Sequence, residues 1–332
     1  KKLAQSEDVI NIITILEQFL RTNKVLCYGG TAINNILPEQ YKFYNRNVEI
    51  PDYDFFTPYP IEYSKKIADI YFKAGFDEVE AKSGVHKGTY KVFVNFMPIA
   101  DVTYMDNKLF NNLEKYSIKI NGIKYCPPNF LRMGIYQELS RPMGDVSRWE
   151  KVLKRLILLN KIFPLKGELC NQQDFQRVYE GSNEERDKIY EITKTCFINQ
   201  GVIFFGGYAA SLYGKYMPHK EKKIINSVPD FDILANDPLQ TVNILKEQLN
   251  YEGYKNVKIY KKPNISDYVD IHYEVIVNKD TIAIVYKADA CHSYNQIFIG
   301  PQKIKVASID TMLYFYLIFI YANSAYFDVN RV

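Results

Sequence analysis

The chain has 332 residues, a hydrophobic share of 47% and a formal net charge of +4. That length favours two domains over one and supplies a real core, while the mild charge admits an anionic partner without demanding one, so any basic surface must be local. Five cysteines, Cys27, Cys126, Cys170, Cys196 and Cys291, lie far apart with no Cys-x-x-Cys or Cys/His cluster, which argues against a zinc site or a disulfide framework and for a reducing compartment.

The chain opens on an amphipathic helix, Glu7 to Arg21. The apolar strand Val25-Leu26-Cys27-Tyr28 runs into Gly29-Gly30 and a helix over Thr31 to Leu37. A polar loop leads to a strand carrying Asp52-Tyr53-Asp54. A helix over Pro60 to Ala74 follows, then two strands, the last bearing Asp101, and a closing helix over Asn129 to Glu138. His86-Lys87-Gly88-Thr89-Tyr90-Lys91 reads first as a plain hairpin and second as a substrate contact.

Between Arg141 and Glu180 lies a connecting segment. Ser147 and Glu150 match a capping box for a helix that stops at about Phe163, before Pro164. Its apolar face is Trp149, Val152, Leu153, Leu156 and Leu159; its other face carries Arg148, Lys151, Lys154 and Arg155. Residues 167–173 read as linker. The charged start, Lys1-Lys2, has no signal-type apolar core. The longest apolar run, Met312 to Ala322, is too short to span a bilayer and reads as a buried helix entered at Ser308. The missing initiator Met and the stop at Val332 suggest a portion of a longer protein.

The first half's order recurs. A helix over Asn183 to Asn199, the strand Val202-Ile203-Phe204-Phe205, Gly206-Gly207, a helix over Tyr208 to Tyr216, Asp230-Phe231-Asp232 and a helix over Pro238 to Asn250 repeat it, with Asp289 as the third aspartate. The separation between copies is nearly constant at the glycines and the Asp pair and wider at the third aspartate, which reads as a longer hairpin in the second copy. The expected domains are 1–140, a helical linker with a basic face at 141–181, and 182–332.

Residues i and i+2 of a strand face the same side, so Asp52 and Asp54 project together. Like charges so placed call for a cation, and Mg²⁺ or Mn²⁺ suits hard oxygen ligands and leaves room for phosphates. Asp101 on a neighbouring strand completes a two-metal pattern that needs no His or Cys nucleophile. The glycines let backbone approach a phosphate, the next helix offers its N-terminus, and Thr31 adds a hydroxyl donor. Each signal alone has a plainer reading: a tight turn, a solvated strand edge, a solvated basic helix. The lysines of Pro218 to Lys223 and Lys261-Lys262 read as surface charge before phosphate contacts, and His272 and His292 as structural. The 28 Tyr and 20 Phe are mostly core, with some available to stack bases. The fixed order, seen twice, carries the argument.

That order resembles the DNA polymerase β-like nucleotidyltransferase superfamily. Leu26-Cys27-Tyr28-Gly29-Gly30, Asp52-Tyr53-Asp54, Tyr125 to Leu131 and Ser147 to Leu156 resemble segments of the poxvirus poly(A) polymerase catalytic subunit. The tandem layout is similar to poly(A) polymerases of giant viruses of the mimivirus group. The resemblance implies an α+β chain of two tandem nucleotidyltransferase domains, with mixed sheets flanked by helices, arising by internal duplication. It implies template-free addition of AMP from ATP to RNA 3′ ends. Asp52, Asp54 and Asp101 would bind metal, and Gly29, Gly30, Thr31, Lys151, Lys154 and Arg155 the nucleotide. It further implies a homodimer, a processivity factor, and a place of action in host cytoplasm, viral factory or virion, without a membrane partner. Gly206, Gly207, Asp230, Asp232 and Asp289 are second-half candidates, and Thr31 with the adjacent basic helix favours the first half. Other readings stay open: a CCA-adding, oligo(A)-synthesising or small-molecule adenylylating enzyme, an RNA-binding scaffold with retired sites, or a structural subunit.

Overall fold

The structure, a computed structural model, describes residues 6–165, 179–216 and 230–322. The run Pro218–Lys223 and the expected linker at 167–173 lie outside them. Each copy of the repeat builds a mixed sheet of seven strands flanked by helices.

In the first copy, helix α1 (Glu7–Thr22) starts where Ser6 Oγ accepts from Val9 N, with Glu7 and Asp8 in the first turn and Arg21 in the last, and it buries Val9, Ile12, Leu16, Phe19 and Leu20. Strand β1 (Leu26–Tyr28) runs straight into α2 (Gly29–Ile36), and β2 is Tyr53–Thr57. Helix α3 (Pro60–Lys73) begins on a proline, which the first helical position tolerates. Strands β3 (Val79–Ser83), β4 (Thr89–Val94) and β5 (Met97–Tyr104) follow, so three strands occupy a stretch expected to hold two. After α4 (Asn107–Lys115), strands β6 (Ile118–Ile120) and β7 (Ile123–Tyr125) lead to α5 (Pro128–Leu139). The sheet order is β3-β4-β5-β2-β1-β7-β6. Strand β2 pairs antiparallel with β1 and parallel with β5. The β4–β5 hairpin turns through Asn95 and Phe96, both at positive φ, and its register shifts between Val92 and Phe93.

Helix α6 (Trp149–Ile162) has a different start and face from those expected. A 3₁₀ turn at Val146–Arg148 precedes it, and the capping oxygen is Asp145 Oδ1, which accepts from Ser147 N at 3.2 Å. Glu150 reaches forward to Lys154 (2.7 Å) instead of back to Ser147. Val152, Arg155, Leu156 and Leu159 are buried, whereas Leu153 is 47% exposed. The buried stripe is thus turned by part of a helical step, and an arginine sits in it. Arg132 of α5 is fully buried and secures the end of α6: its Nε donates to Asn160 Oδ1 (2.8 Å) and its Nη2 to the Phe163 and Leu159 carbonyls.

The second copy follows the same plan. Helix α7 (Asn183–Gln200) precedes β8 (Ile203–Phe205), α8 (Gly206–Tyr213) and β9 (Phe231–Ala235). A helix at Pro238–Tyr251 then leads to β10 (Val257–Lys262), β11 (His272–Val277) and β12 (Asp280–Lys287). The pair β13 (Tyr294–Ile299) and β14 (Gln302–Ala307) precedes a final helix at Ile309–Ala322. The order β10-β11-β12-β9-β8-β14-β13 repeats that of the first sheet strand for strand. Ser308 Oγ accepts from Thr311 N as the last helix begins. That helix is largely buried, and among the described residues no helix is long and apolar enough to cross a membrane.

The two compact units do not divide at the expected boundaries. Residues up to Ile135 and Glu150–Leu165 belong to the first, while Tyr136–Trp149 belongs to the second together with the chain from Tyr179 to Ile320. The helix expected to link the halves is therefore part of the first unit, through its buried face and Arg132. Residues 136–149 are held in the second by Arg141–Asp289 (2.7 Å) and by Ser293 N donating to Ser140 O (2.7 Å).

Candidate active site

In the first sheet Asp54 and Asp101 are direct partners on adjacent parallel strands, so their carboxylates stand side by side on one face. Asp52 lies two residues before Asp54, just outside β2, and faces the same side. Asp52 keeps an exposed surface. Even so, partial burial, then the charge of Asp101, push its carboxyl above the ordinary value, against the pull of Lys91.

One cross-strand row runs through the site: Lys82, Lys91, Asp101, Asp54 and Tyr28 are successive partners on β3, β4, β5, β2 and β1. Lys91 Nζ contacts both oxygens of Asp101, at 2.8 and 2.7 Å. That bond first, and then the charges of Asp101, Asp52 and Asp54, hold the ammonium above its ordinary value. Burial and then the charge of Asp54 raise the Tyr28 phenol, which shares a 2.9 Å hydrogen bond with Thr103 and stacks on Phe56.

The glycine pair has a specific task at each position. Gly29 has φ +74°, a left-handed conformation, and a Cβ there would collide with Asp54 Oδ2. Gly206 repeats this with φ +67° against Asp232 Oδ2. The first glycine of each pair thus makes room for the second aspartate of the same copy. At Gly30 a Cβ would come within 2.6 Å of Arg155 Nη2 and 2.8 Å of Tyr44 Oη. Arg155 Nη2 donates to Tyr44 Oη (2.6 Å), and the guanidinium lies against the Phe43 and Tyr44 rings. Asn34 Oδ1 fixes those aromatics by accepting from Phe43 N and Tyr44 N, both at 2.8 Å. Arg155 is 8% exposed, and its Nε is buried without a hydrogen-bond partner. An arginine donor is thus left unused beside the start of α2.

Two expected nucleotide contacts are differently placed. The Thr31 hydroxyl is buried and donates to the Asp52 carbonyl (2.5 Å), so it steadies the segment that carries Asp52. Lys151 and Lys154 are exposed, and Lys154 ends on Glu150. Of the three α6 residues expected to bind the nucleotide, the structure brings Arg155 to Gly30. Tyr44 and the Lys91–Asp101 contact escaped the sequence reading. Tyr44 comes from an irregular loop with no periodic signal, and the Lys91 register depends on the bulge between Val92 and Phe93.

The second copy keeps the frame and loses the triad. Asp232 pairs with Phe205 as Asp54 pairs with Tyr28, but its neighbour on β12 is Ile284. Glu274, bound to Lys262 (2.8 Å), occupies the position of Lys91. Asp289, read as the third aspartate, lies beyond the end of β12 and is held by Arg141 and by His292 Nε2, each at 2.7 Å. Burial alone would raise its carboxyl; the His292 hydrogen bond and then Arg141 hold it below the ordinary value. The hairpin in the second copy is no longer than the first: Val277 pairs with Asp280 across two residues, as Val94 pairs with Met97. The link between β10 and β11 is longer than that between β3 and β4, and the rest of the difference arises because Asp289 lies past Ile284, the position equivalent to Asp101.

Residues 14–145 match the family model of the poly(A) polymerase catalytic subunit. That span holds Gly29, Gly30, Asp52, Asp54 and Asp101. A putative poly(A) polymerase catalytic subunit of Acanthamoeba polyphaga mimivirus is 30% identical over 159 residues, 47% of this chain and 27% of the relative. One from African swine fever virus (strain Badajoz 1971 Vero-adapted) is 29% identical over 171 residues, 50% of this chain and 36% of the relative. The chain thus spans about a third of these relatives' length. The crystal structure of the Megavirus polyadenylate synthase superposes with a TM-score of 0.86 at 21% identity, covering 99% of this chain and 69% of that one. The superposition shows a shared fold, and the family match bears out the resemblance to the poly(A) polymerase catalytic subunit.

Proposed function

We propose that the chain is the catalytic portion of a poly(A) polymerase, adding AMP from ATP to an RNA 3′ end at the first-copy site. The observation that carries this reading is the side-by-side placement of Asp54 and Asp101 on parallel neighbours, with Asp52 beside them and α2 starting at Gly29.

Among the described residues no three or more His, Cys, Asp or Glu side chains are gathered closely enough to hold a metal ion as they stand. The three carboxylates nonetheless fit Mg²⁺ or Mn²⁺ in donor chemistry: hard oxygens on one face, with Asp54 and Asp101 on paired strands and Asp52 two residues before Asp54. Such a site takes the rest of its ligand shell from substrate phosphates. When bound, the divalent ions would lower the pKa of the attacking hydroxyl and neutralise the leaving pyrophosphate. Asp101 and Asp54 would orient the RNA 3′-hydroxyl side, while Asp52 and Asp54 would face the triphosphate. Arg155, with its unused Nε, and the N–H groups opening α2 would take the triphosphate charge. Phosphoryl transfer then needs positioning and charge neutralisation more than covalent chemistry. The reading extends to a homodimer, to a processivity factor and to action in host cytoplasm or virion, all carried by the family resemblance.

The test is primer extension with labelled RNA, Mg²⁺ and each nucleotide in turn. A long A-only ladder, lost in the Asp52→Ala/Asp54→Ala double variant with RNA binding retained, supports the proposal. A single addition favours a CCA-adding or adenylylating enzyme. No turnover with any RNA favours a scaffold.

A further inference from the structure

Lys91 spends its charge on an aspartate that the chemistry needs. Its ammonium touches both Asp101 oxygens, and the Asp101 side chain is 18% exposed, so the contact is only partly hydrated. The contact is built into the sheet. Lys91 is the cross-strand partner of Asp101 on one side, as Asp54 is on the other. Two cations cannot share one carboxylate face at contact distance without strong repulsion. The second copy shows the pairing is tied to the site, because where Ile284 replaces the aspartate, Glu274 replaces the lysine.

We propose that Lys91 is the resident counter-ion of Asp101, holding the carboxylate in the substrate-free protein and competing with a divalent cation for it. This rests on the metal-dependent reading of the site. The lysine would keep Asp101 compensated, and the affinity of the first-copy site for a cation alone would be set low by this competition. On loading, the ammonium must leave Asp101 and would then be available to a phosphate.

The experiment is Mn²⁺ titration of the whole chain without nucleotide, following free Mn²⁺ by electron paramagnetic resonance. Wild type is compared with Lys91→Met, Lys91→Gln, Lys91→Arg, Lys82→Met and Asp101→Asn, all checked by circular dichroism. Lys82 is the control, since it lies one strand farther out on the same row and is bound to Glu80. Lys91→Met and Lys91→Gln should bind Mn²⁺ about tenfold more tightly, the scale of one lost close charge contact. Lys91→Arg and Lys82→Met should stay within about twofold of wild type, and Asp101→Asn should abolish the gain when combined with Lys91→Met. Lys91→Met no tighter than Lys82→Met overturns the proposal, as does a gain that survives Asp101→Asn. Primer extension by wild type is scored separately, so an A-only ladder without the Mn²⁺ gain sinks the counter-ion role and spares the polymerase reading. The gain without a ladder does the reverse.

Discussion

Ile284 stands beside Asp232 where, in the first sheet, Asp101 stands beside Asp54. A methyl-bearing side chain offers a cation nothing, so the two copies are not equivalent as sites. Replacing Asp54 by Ala should reduce nucleotide incorporation by about a thousandfold or more, the scale for losing an essential group in the transition state. Asp232→Ala should leave the specific rate of the folded fraction within about threefold. Primer-extension rates of the two variants, normalised to folded protein, check this.

Gly29→Ala combines a left-handed backbone with a collision against Asp54. We expect a loss of about 1–3 kcal/mol of stability and a severe loss of incorporation. Gly75→Ala is the matched control. Its φ is +93°, but open space surrounds its missing Cβ. It should cost about 1 kcal/mol and leave incorporation unchanged. Urea unfolding and single-turnover rates separate the two effects.

Arg155→Lys keeps a charge and loses the planar fork between Tyr44 and the start of α2. KM for ATP should rise by about tenfold or more, with kcat falling less, because the group is proposed to hold the triphosphate. Equal falls in kcat and kcat/KM would instead mark a role confined to the transition state.

Asp289→Asn tests the reassignment of that residue. If Asp289 clips residues 136–149 to the second unit through Arg141, the variant should lose about 1–3 kcal/mol of stability and keep its specific activity. Thermal melts and extension rates measured on one preparation decide it.

His272 gives a pH signature for the second unit. It is fully buried and stacked on Tyr286, with Nδ1 donating to the Asp270 carbonyl (3.1 Å), and burial lowers its pKa to about 4. The unfolded chain, with a value near 6.5, binds the proton more readily. The stability contribution is therefore full above about pH 6.5 and falls as pH drops toward 4, by at most about 3 kcal/mol. Urea midpoints of the second-unit transition between pH 7 and 4 should fall, and the fall should flatten in His272→Gln.

Most of the frame was legible because it rests on short-range rules. The amphipathic pattern from Glu7 marks the start of α1, Pro60 the first turn of α3, and the paired glycines and aspartates mark the strands of both sheets. What escaped depends on through-space register. A plain hairpin continuing from Val94↔Met97 would set Lys91 opposite Ala100; the bulge at Val92/Phe93 sets it opposite Asp101. Register also hid Ile284: Asp289 follows an alanine as Asp101 does, but it lies beyond the end of β12. At α6 helical spacing puts Arg148, Lys151, Lys154 and Arg155 on one face, yet Arg155 turns inward because Tyr44, Phe43 and Gly30 give it a place.

The irregularity at Val92/Phe93 has a twin at Val275/Ile276, in a hairpin that no longer bears the acid. The irregularity offsets the pairing by one residue at the same place in both hairpins. The bend thus belongs to the backbone plan the two sheets share, and the side chains it sets opposite one another differ: Lys91 and Asp101 in the first, Glu274 and Ile284 in the second. Placing an acid at 284 and a lysine at 274 would therefore reproduce the first sheet's row on a backbone already bent to receive it.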